Sequence, residues 1–189
     1  MKRAIIVHGW ASHPKDGWFP WLKNELEKLG YEVLVPKMPA PLIPIMKKWV
    51  GHLSKIVGPV DQDTIFIGHS IGCQAIIRYL ETLDTPIRGA IFVAGFFKLE
   101  GLESVAEEKI AEAWTKTPID LEKVKRIMNK SVAIFSDNDR FVPLEINRKA
   151  FEEKLSSEII VDHGMKHYSG NQGIRDVPSV LVALKKLPA

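Results

Sequence analysis

Apolar residues along the chain fall into two patterns: short continuous runs rich in β-branched side chains, and longer stretches where they return every three or four positions. The first suits strands buried on both faces of a parallel sheet, the second amphipathic helices. Residues 4–7, 31–35, 65–67, 89–94, 131–136 and 158–161 read as six strands. Helical periods fill the intervals. Trp18, Leu22, Leu26 and Leu29 form a stripe closed by Gly30, with Asp16 as its expected N-cap and Pro20 in the first turn. Residues 45–57 repeat until Gly58-Pro59, and a helix after residue 70 runs to the Asp84-Thr85-Pro86 break. Residues 144–155 form another helix, and Asp176, with Pro178 in the first turn, opens the last. Between 36 and 44 four prolines forbid both ladder and helix, leaving an unusually apolar loop.

The longest interval without strand character is 95–130. It holds two short helices, one expected to bury Leu102, Val105, Ala106, Ile110 and Ala113, the other starting at Asp120 and burying Leu121, Val124 and Ile127 or Met128. They either cover the sheet or lie over a site as a small lid. Strands alternating with helices throughout predict one α/β domain over 1–189, a doubly wound and mostly parallel sheet. Its right-handed crossovers gather the loops that follow the strands on one edge.

One such loop stands out. Thr64-Ile65-Phe66-Ile67-Gly68-His69-Ser70-Ile71-Gly72-Cys73 takes a strand through a sharp turn into the helix that carries Ala75, Ile76, Ile77, Tyr79 and Leu80. Gly68 and Gly72 stand two residues either side of Ser70, where side chains would collide in a tight strand-to-helix turn. Gly-x-Ser-x-Gly in that context is the nucleophile elbow of serine hydrolases. The bland alternative is a glycine-rich turn and nothing more.

Composition changes this picture little. With 189 residues, 46% hydrophobic, 26% charged and a net charge of +3, the chain suits one globular domain. Its lysines and arginines are interleaved with acids, so no basic run tracks nucleic acid. No stretch approaches the roughly 20 apolar residues of a membrane-spanning helix. Met1-Lys2-Arg3 runs straight into a strand without a signal-peptide pattern. The single cysteine, Cys73, forms no internal disulfide, which points to a reducing cytoplasm; it reads as a small buried packer. No Cys/His spacing forms a metal site, and no cofactor is called for.

A serine becomes a nucleophile when a histidine takes its proton and a carboxylate orients that histidine. The candidates lie after strands, in the order Ser70, then Asp137 or Asp139, then His163 or His167. The first oxyanion donor is the amide after the nucleophile, at Ile71.

These residues resemble the small serine hydrolases related to retinoblastoma-binding protein nine, within the α/β-hydrolases. The likeness runs through His8-Gly9, Trp18 to Trp21, Pro36-Lys37-Met38-Pro39, the elbow, Asp137-Asn138-Asp139 with Val142-Pro143, and the terminal histidine loop. It implies a compact α/β-hydrolase fold, a six-stranded sheet of order 2-1-3-4-5-6 without the first antiparallel hairpin of larger relatives, and ester hydrolysis. It also implies Asp139, four residues before Pro143, as the acid, and His167, before aromatic Tyr168, as the base. Met165 and Lys166 separate that histidine from Gly164, a departure that keeps His163 in contention. The second oxyanion amide implied is Trp10, then Ala11, with His8 buttressing that loop. His69 is expected to orient or pack rather than to transfer protons.

Position on the same edge marks Met38, Pro39, Leu42, Phe96, Phe97 and Phe141 as an apolar substrate wall, suited to a small acyl or aryl ester. The reading is therefore a cytoplasmic serine esterase acting on a small-molecule ester, with no nucleic-acid or membrane partner. The rivals are a non-catalytic binding protein on the same fold and an acyltransferase or thioesterase on the same triad.

Overall fold

The computed structural model describes residues 1–188. Six strands, β1 (Arg3–Val7), β2 (Glu32–Leu34), β3 (Thr64–His69), β4 (Gly89–Val93), β5 (Ser131–Ser136) and β6 (Glu158–Asp162), form one sheet in the order β2-β1-β3-β4-β5-β6. Every pairing is parallel. The central strands β3, β4 and β5 are buried throughout, which explains their unbroken apolar sequence. The edge strand β6 alternates only weakly and leaves Val161 exposed.

The described residues form seven α-helices around the sheet: α1 (Phe19–Lys28), α2 (Met46–Ile56), α3 (Ile71–Leu80), α4 (Val105–Lys116), α5 (Leu121–Met128), α6 (Leu144–Leu155) and α7 (Ser179–Lys186). Helices α2, α3, α5 and α6 pack against one another in series on one face, and α1 and α7 lie on the other. α3 is buried along its whole length because it crosses the middle of the sheet.

The structure corrects several local expectations. Asp16 does not cap α1, whose cap position is Trp18; its carboxylate accepts from the His13 amide (2.7 Å) and closes a turn in the preceding loop. Leu29 is exposed, and Phe19, Leu22 and Leu26 carry the buried stripe. In α4 the buried side chains are Ala111 and Trp114, whereas Val105 faces solvent. α7 starts at Ser179, three residues after Asp176. Asp120 does cap α5, accepting from the Lys123 amide at 2.9 Å.

Two sets of anchors fix the irregular segments around the sheet. Arg78 of α3, buried and without a carboxylate partner among the described residues, donates to the carbonyls of Trp114 (2.5 Å), Thr117 (2.9 Å) and Pro118 (3.5 Å), closing the C-terminal end of α4. The proline loop is held by indole N–H groups: Trp49 donates to Pro39, Trp10 to Leu42 and Trp114 to Pro44. A loop that cannot pair in a sheet satisfies its carbonyls this way.

Candidate active site

At the end of β3 the chain reverses into α3 through Ser70, whose φ of 53° and ψ of −122° lie outside the regions L-residues prefer. The turn is that tight because its two glycines admit backbone where a side chain would stand. A Cβ on Gly68 would lie 2.8 Å from the Cys73 backbone, and one on Gly72 only 2.3 Å from the Val7 carbonyl oxygen. The elbow is thereby pressed against the ends of its own helix and of β1. Cys73 sits beneath it, buried and free, its thiol pointing to the Val93 carbonyl at 3.5 Å; burial pushes its pKa up.

Ser70 Oγ lies 2.9 Å from His167 Nε2, and His167 Nδ1 lies 2.7 Å from Asp139 Oδ2. A carboxylate only accepts, so Nδ1 carries the proton and Nε2 is left to accept from the serine hydroxyl. Asp139 is 2% exposed, so its charge is balanced by donors: its other oxygen takes the amides of Phe141 (2.8 Å) and Val142 (3.2 Å). Phe141 packs edge-on against the His167 ring at 5.2 Å.

Asp137 and His163 also pair, but elsewhere. Their 2.7 Å contact is on the surface, with His163 89% exposed, and Asp137 also accepts the Gly164 amide at 2.9 Å. That amide bond, followed by the His163 contact, lowers the Asp137 pKa. Between the two acids, Asn138 Oδ1 accepts from the Lys166 amide at 2.7 Å. The three residues after β5 thus tie down successive points of the loop after β6.

The loop after β1 closes the site from the other side. A Cβ on Gly9 would be 2.8 Å from His69 Nδ1 and 3.3 Å from Ser70 Cβ. His8, buried, donates from Nδ1 to the Gly9 carbonyl (2.9 Å) and accepts the Met38 amide on Nε2 (3.0 Å), and desolvation lowers its pKa. The Ala11 amide is taken by the Pro41 carbonyl (2.9 Å). The amides of Trp10 and Ile71 have no protein acceptor among the described residues.

A cleft of about 910 Å³ opens over Ser70, His69 and His167. Its apolar wall is Trp10, Leu99, Leu102 and Phe141, and Lys15, Arg140, Glu103, Glu107 and Arg175 bring charge to it. Of the expected substrate wall, Phe141 alone lies there. Met38 is buried beneath the proline loop, where its amide serves His8. Leu42 projects into solvent. Phe96 is buried in the core with its carbonyl accepting from Gln74. Phe97 stacks on Phe151 and lines a separate shallow groove behind the loop that starts at Phe97. Position after a strand puts a residue on the right edge but does not set which way it turns: the core took Met38 and Phe96, a separate groove Phe97, and solvent Leu42. Trp18 was legible only as a helix residue, yet its indole donates to the Tyr168 carbonyl at 2.9 Å and supports the histidine loop.

A family model described as serine hydrolase matches residues 4–186. YdeN of Bacillus subtilis is 29% identical over 181 residues, covering 95% of this chain and 92% of that protein. The serine hydrolase RBBP9 of Rattus norvegicus is 28% identical over 185 residues, covering 95% of each. Among solved structures, the ydeN gene product of B. subtilis superposes with a TM-score of 0.88 at 27% identity, over 98% of both chains. Est1E of Butyrivibrio proteoclasticus, in a structure with ferulic acid bound, gives a TM-score of 0.70 at 15% identity over 98% of this chain and 90% of that one, a likeness of fold.

Proposed function

From the premise that the chain belongs to the serine hydrolase family, we propose that it hydrolyses carboxylic esters through Ser70, His167 and Asp139. The observation that carries this reading is the continuous line of contacts from Ser70 Oγ to His167 Nε2 and from His167 Nδ1 to Asp139, opening on a cleft.

Ser70 Oγ attacks the ester carbonyl carbon as His167 Nε2 takes its proton. The carbonyl oxygen becomes an oxyanion, received by the Ile71 and Trp10 amides. The tetrahedral intermediate expels the alcohol, which takes its proton from His167, and leaves an acyl group on Ser70. A water then gives its proton to His167 and attacks the acyl carbonyl, releasing the acid and restoring the serine. Asp139 keeps the proton on Nδ1 and stabilises the imidazolium that forms twice per turnover. The chain's own residues supply every proton transfer.

The aromatic and aliphatic wall around Trp10, Phe141, Leu99 and Leu102 suits a small acyl or aryl ester, and the cleft lies in the size range of small-ligand sites. The buried free thiol of Cys73 suits a reducing cytoplasm, where we place the enzyme. The segment 95–130 contributes Leu99, Leu102, Glu103 and Glu107 to the cleft while α5 packs against α3 and α6, so its first part is the candidate lid and its second part is core.

Labelling with a fluorophosphonate probe tests the proposal. Adduct on Ser70 by mass spectrometry, lost in Ser70→Ala, is the expected result. A folded native chain that takes no label and turns over no p-nitrophenyl ester overturns it in favour of a binding role. Products formed with added alcohols separate hydrolysis from acyl transfer.

A further inference from the structure

His167 sits on a strained piece of backbone. Its neighbours Lys166 and Tyr168 both have positive φ, 52° and 54°, although neither is glycine. Such conformations are unfavourable for residues that carry a side chain and persist only where the surroundings enforce them. Here the restraint acts on both faces of His167 itself. Its amide donates to Gln172 Oε1 at 3.0 Å, from the 3₁₀ turn Gly170–Gln172, and its carbonyl lies 2.8 Å from His69 Nε2. A carbonyl only accepts, so His69 carries its proton on Nε2 and donates.

His69 Nδ1 is consequently unprotonated, buried and, among the described residues, without a partner, against Gly9. Its ring is wedged edge-on against Trp18 and tilted against Phe19 and His167. This is a costly way to make one hydrogen bond, and a phenyl ring would pack the same space without leaving a nitrogen unpaired.

We propose that His69 and Gln172 form a clamp on the two backbone polar groups of His167, His69 donating to its carbonyl and Gln172 accepting from its amide. The clamp keeps a strained loop in the one conformation that aims Nε2 at Ser70. Because His69 immediately precedes the nucleophile, elbow and base are held to each other directly rather than through the sheet. Both are positioning residues: neither touches the reacting atoms. The titratable groups facing His69 are His167 and Asp139 from the loops after β6 and β5 and His8 from the loop after β1, while α1 offers only aromatic rings. Desolvation, then repulsion from His167, holds the His69 pKa at about 3.

The inference takes its activity readout from the hydrolase proposal, and the test separates the two. His69→Phe keeps the ring and removes its donor, leaving the His167 carbonyl the longer Ser169 Oγ contact (3.3 Å); His69→Gln restores a donor near the Nε2 position; Gln172→Ala releases the other side at a half-buried residue. With p-nitrophenyl butyrate, His69→Phe and Gln172→Ala are expected to lower kcat about 10- to 100-fold, with KM within about twofold. His69→Gln should recover most of that loss and keep the acid limb of kcat/KM where the native chain has it. Native kcat in both His69→Phe and Gln172→Ala, or an acid limb displaced in His69→Gln, overturns the clamp. A native chain without Ser70-dependent turnover overturns the hydrolase proposal instead. The clamp is then decided by amide hydrogen exchange across 165–169, which must quicken in His69→Phe and Gln172→Ala and which, unchanged, refutes it.

Discussion

Asp137 and His163 form an acid–imidazole pair as short as that of Asp139 and His167, 2.7 Å in each case, yet only His167 reaches a serine. Pairing of an acid with a histidine is therefore not the diagnostic feature of this edge. What separates the two pairs is burial: Asp139 is 2% exposed and Asp137 40%.

Substitution should divide them sharply. On the proposed mechanism Ser70→Ala, His167→Ala and Asp139→Asn are each expected to lower kcat for a p-nitrophenyl ester by about 10³-fold or more, the size of loss that follows when a Ser-His-Asp triad is broken. His163→Ala should stay within about threefold of native. Initial-rate kinetics on the four variants check this, and a His163→Ala loss equal to that of His167→Ala would reassign the base.

Gly72 faces the Val7 carbonyl oxygen, where an added Cβ would stand at 2.3 Å, well inside any real contact. The obstacle is backbone on both sides, so it cannot rotate away. Gly72→Ala should cost about 3 kcal/mol or more, at the upper end for overpacking, or fail to fold. Gly51, with nothing near its Cβ position, is the control: Gly51→Ala in α2 should be neutral or slightly stabilising by thermal melting.

Acid should destabilise the fold through its buried histidines. His69 and His8 have pKa values lowered by burial, so the unfolded chain binds their protons first as pH falls. Their contribution is complete above about pH 6.5 and lost below it, for His69 down to about pH 3, at up to about 1.4 kcal/mol per pH unit for each histidine. Urea midpoints at pH 7.5, 6.0 and 5.0 should fall in that order, and less steeply in His69→Gln.

Arg78→Met removes the donors that close α4 and should free the segment before α5. We expect faster amide exchange around 111–118 and a loss of about 2–4 kcal/mol, since three carbonyls lose a buried charged donor. Exchange measured by mass spectrometry, residue range by residue range, shows whether the loosening stays in α4 or spreads to the Ser70 elbow.

Much of this was legible in the sequence because it is dictated locally. Six apolar runs alternating with helical periods fix the parallel sheet, and Gly68 and Gly72 around Ser70 fix the tight strand-to-helix turn. The substrate wall was not legible, because Met38, Phe96 and Phe97 answer to long-range packing that periodicity does not encode. Nor were the supports of the His167 loop: Gln172, five residues on, takes the His167 amide, and Trp18, from a distant part of the chain, donates to the Tyr168 carbonyl, with no spacing to mark either. The α4 register was misread for a similar reason. Trp114 is drawn inward by Trp49 and the Pro44 carbonyl, overriding the aliphatic stripe beginning at Leu102 and Val105.

Cys73 lies one helical step beyond the elbow, the chain's sole thiol, shut away from solvent. A reagent such as an alkyl disulfide can reach it only when the packing between the start of α3 and the end of β4 has opened. Its reaction rate is thus an internal stopwatch for opening beside the Ser70 turn, readable without a substrate, an added label or a change to the sequence. An inhibitor that settles on Ser70 should slow that stopwatch in proportion to how firmly it holds the turn shut.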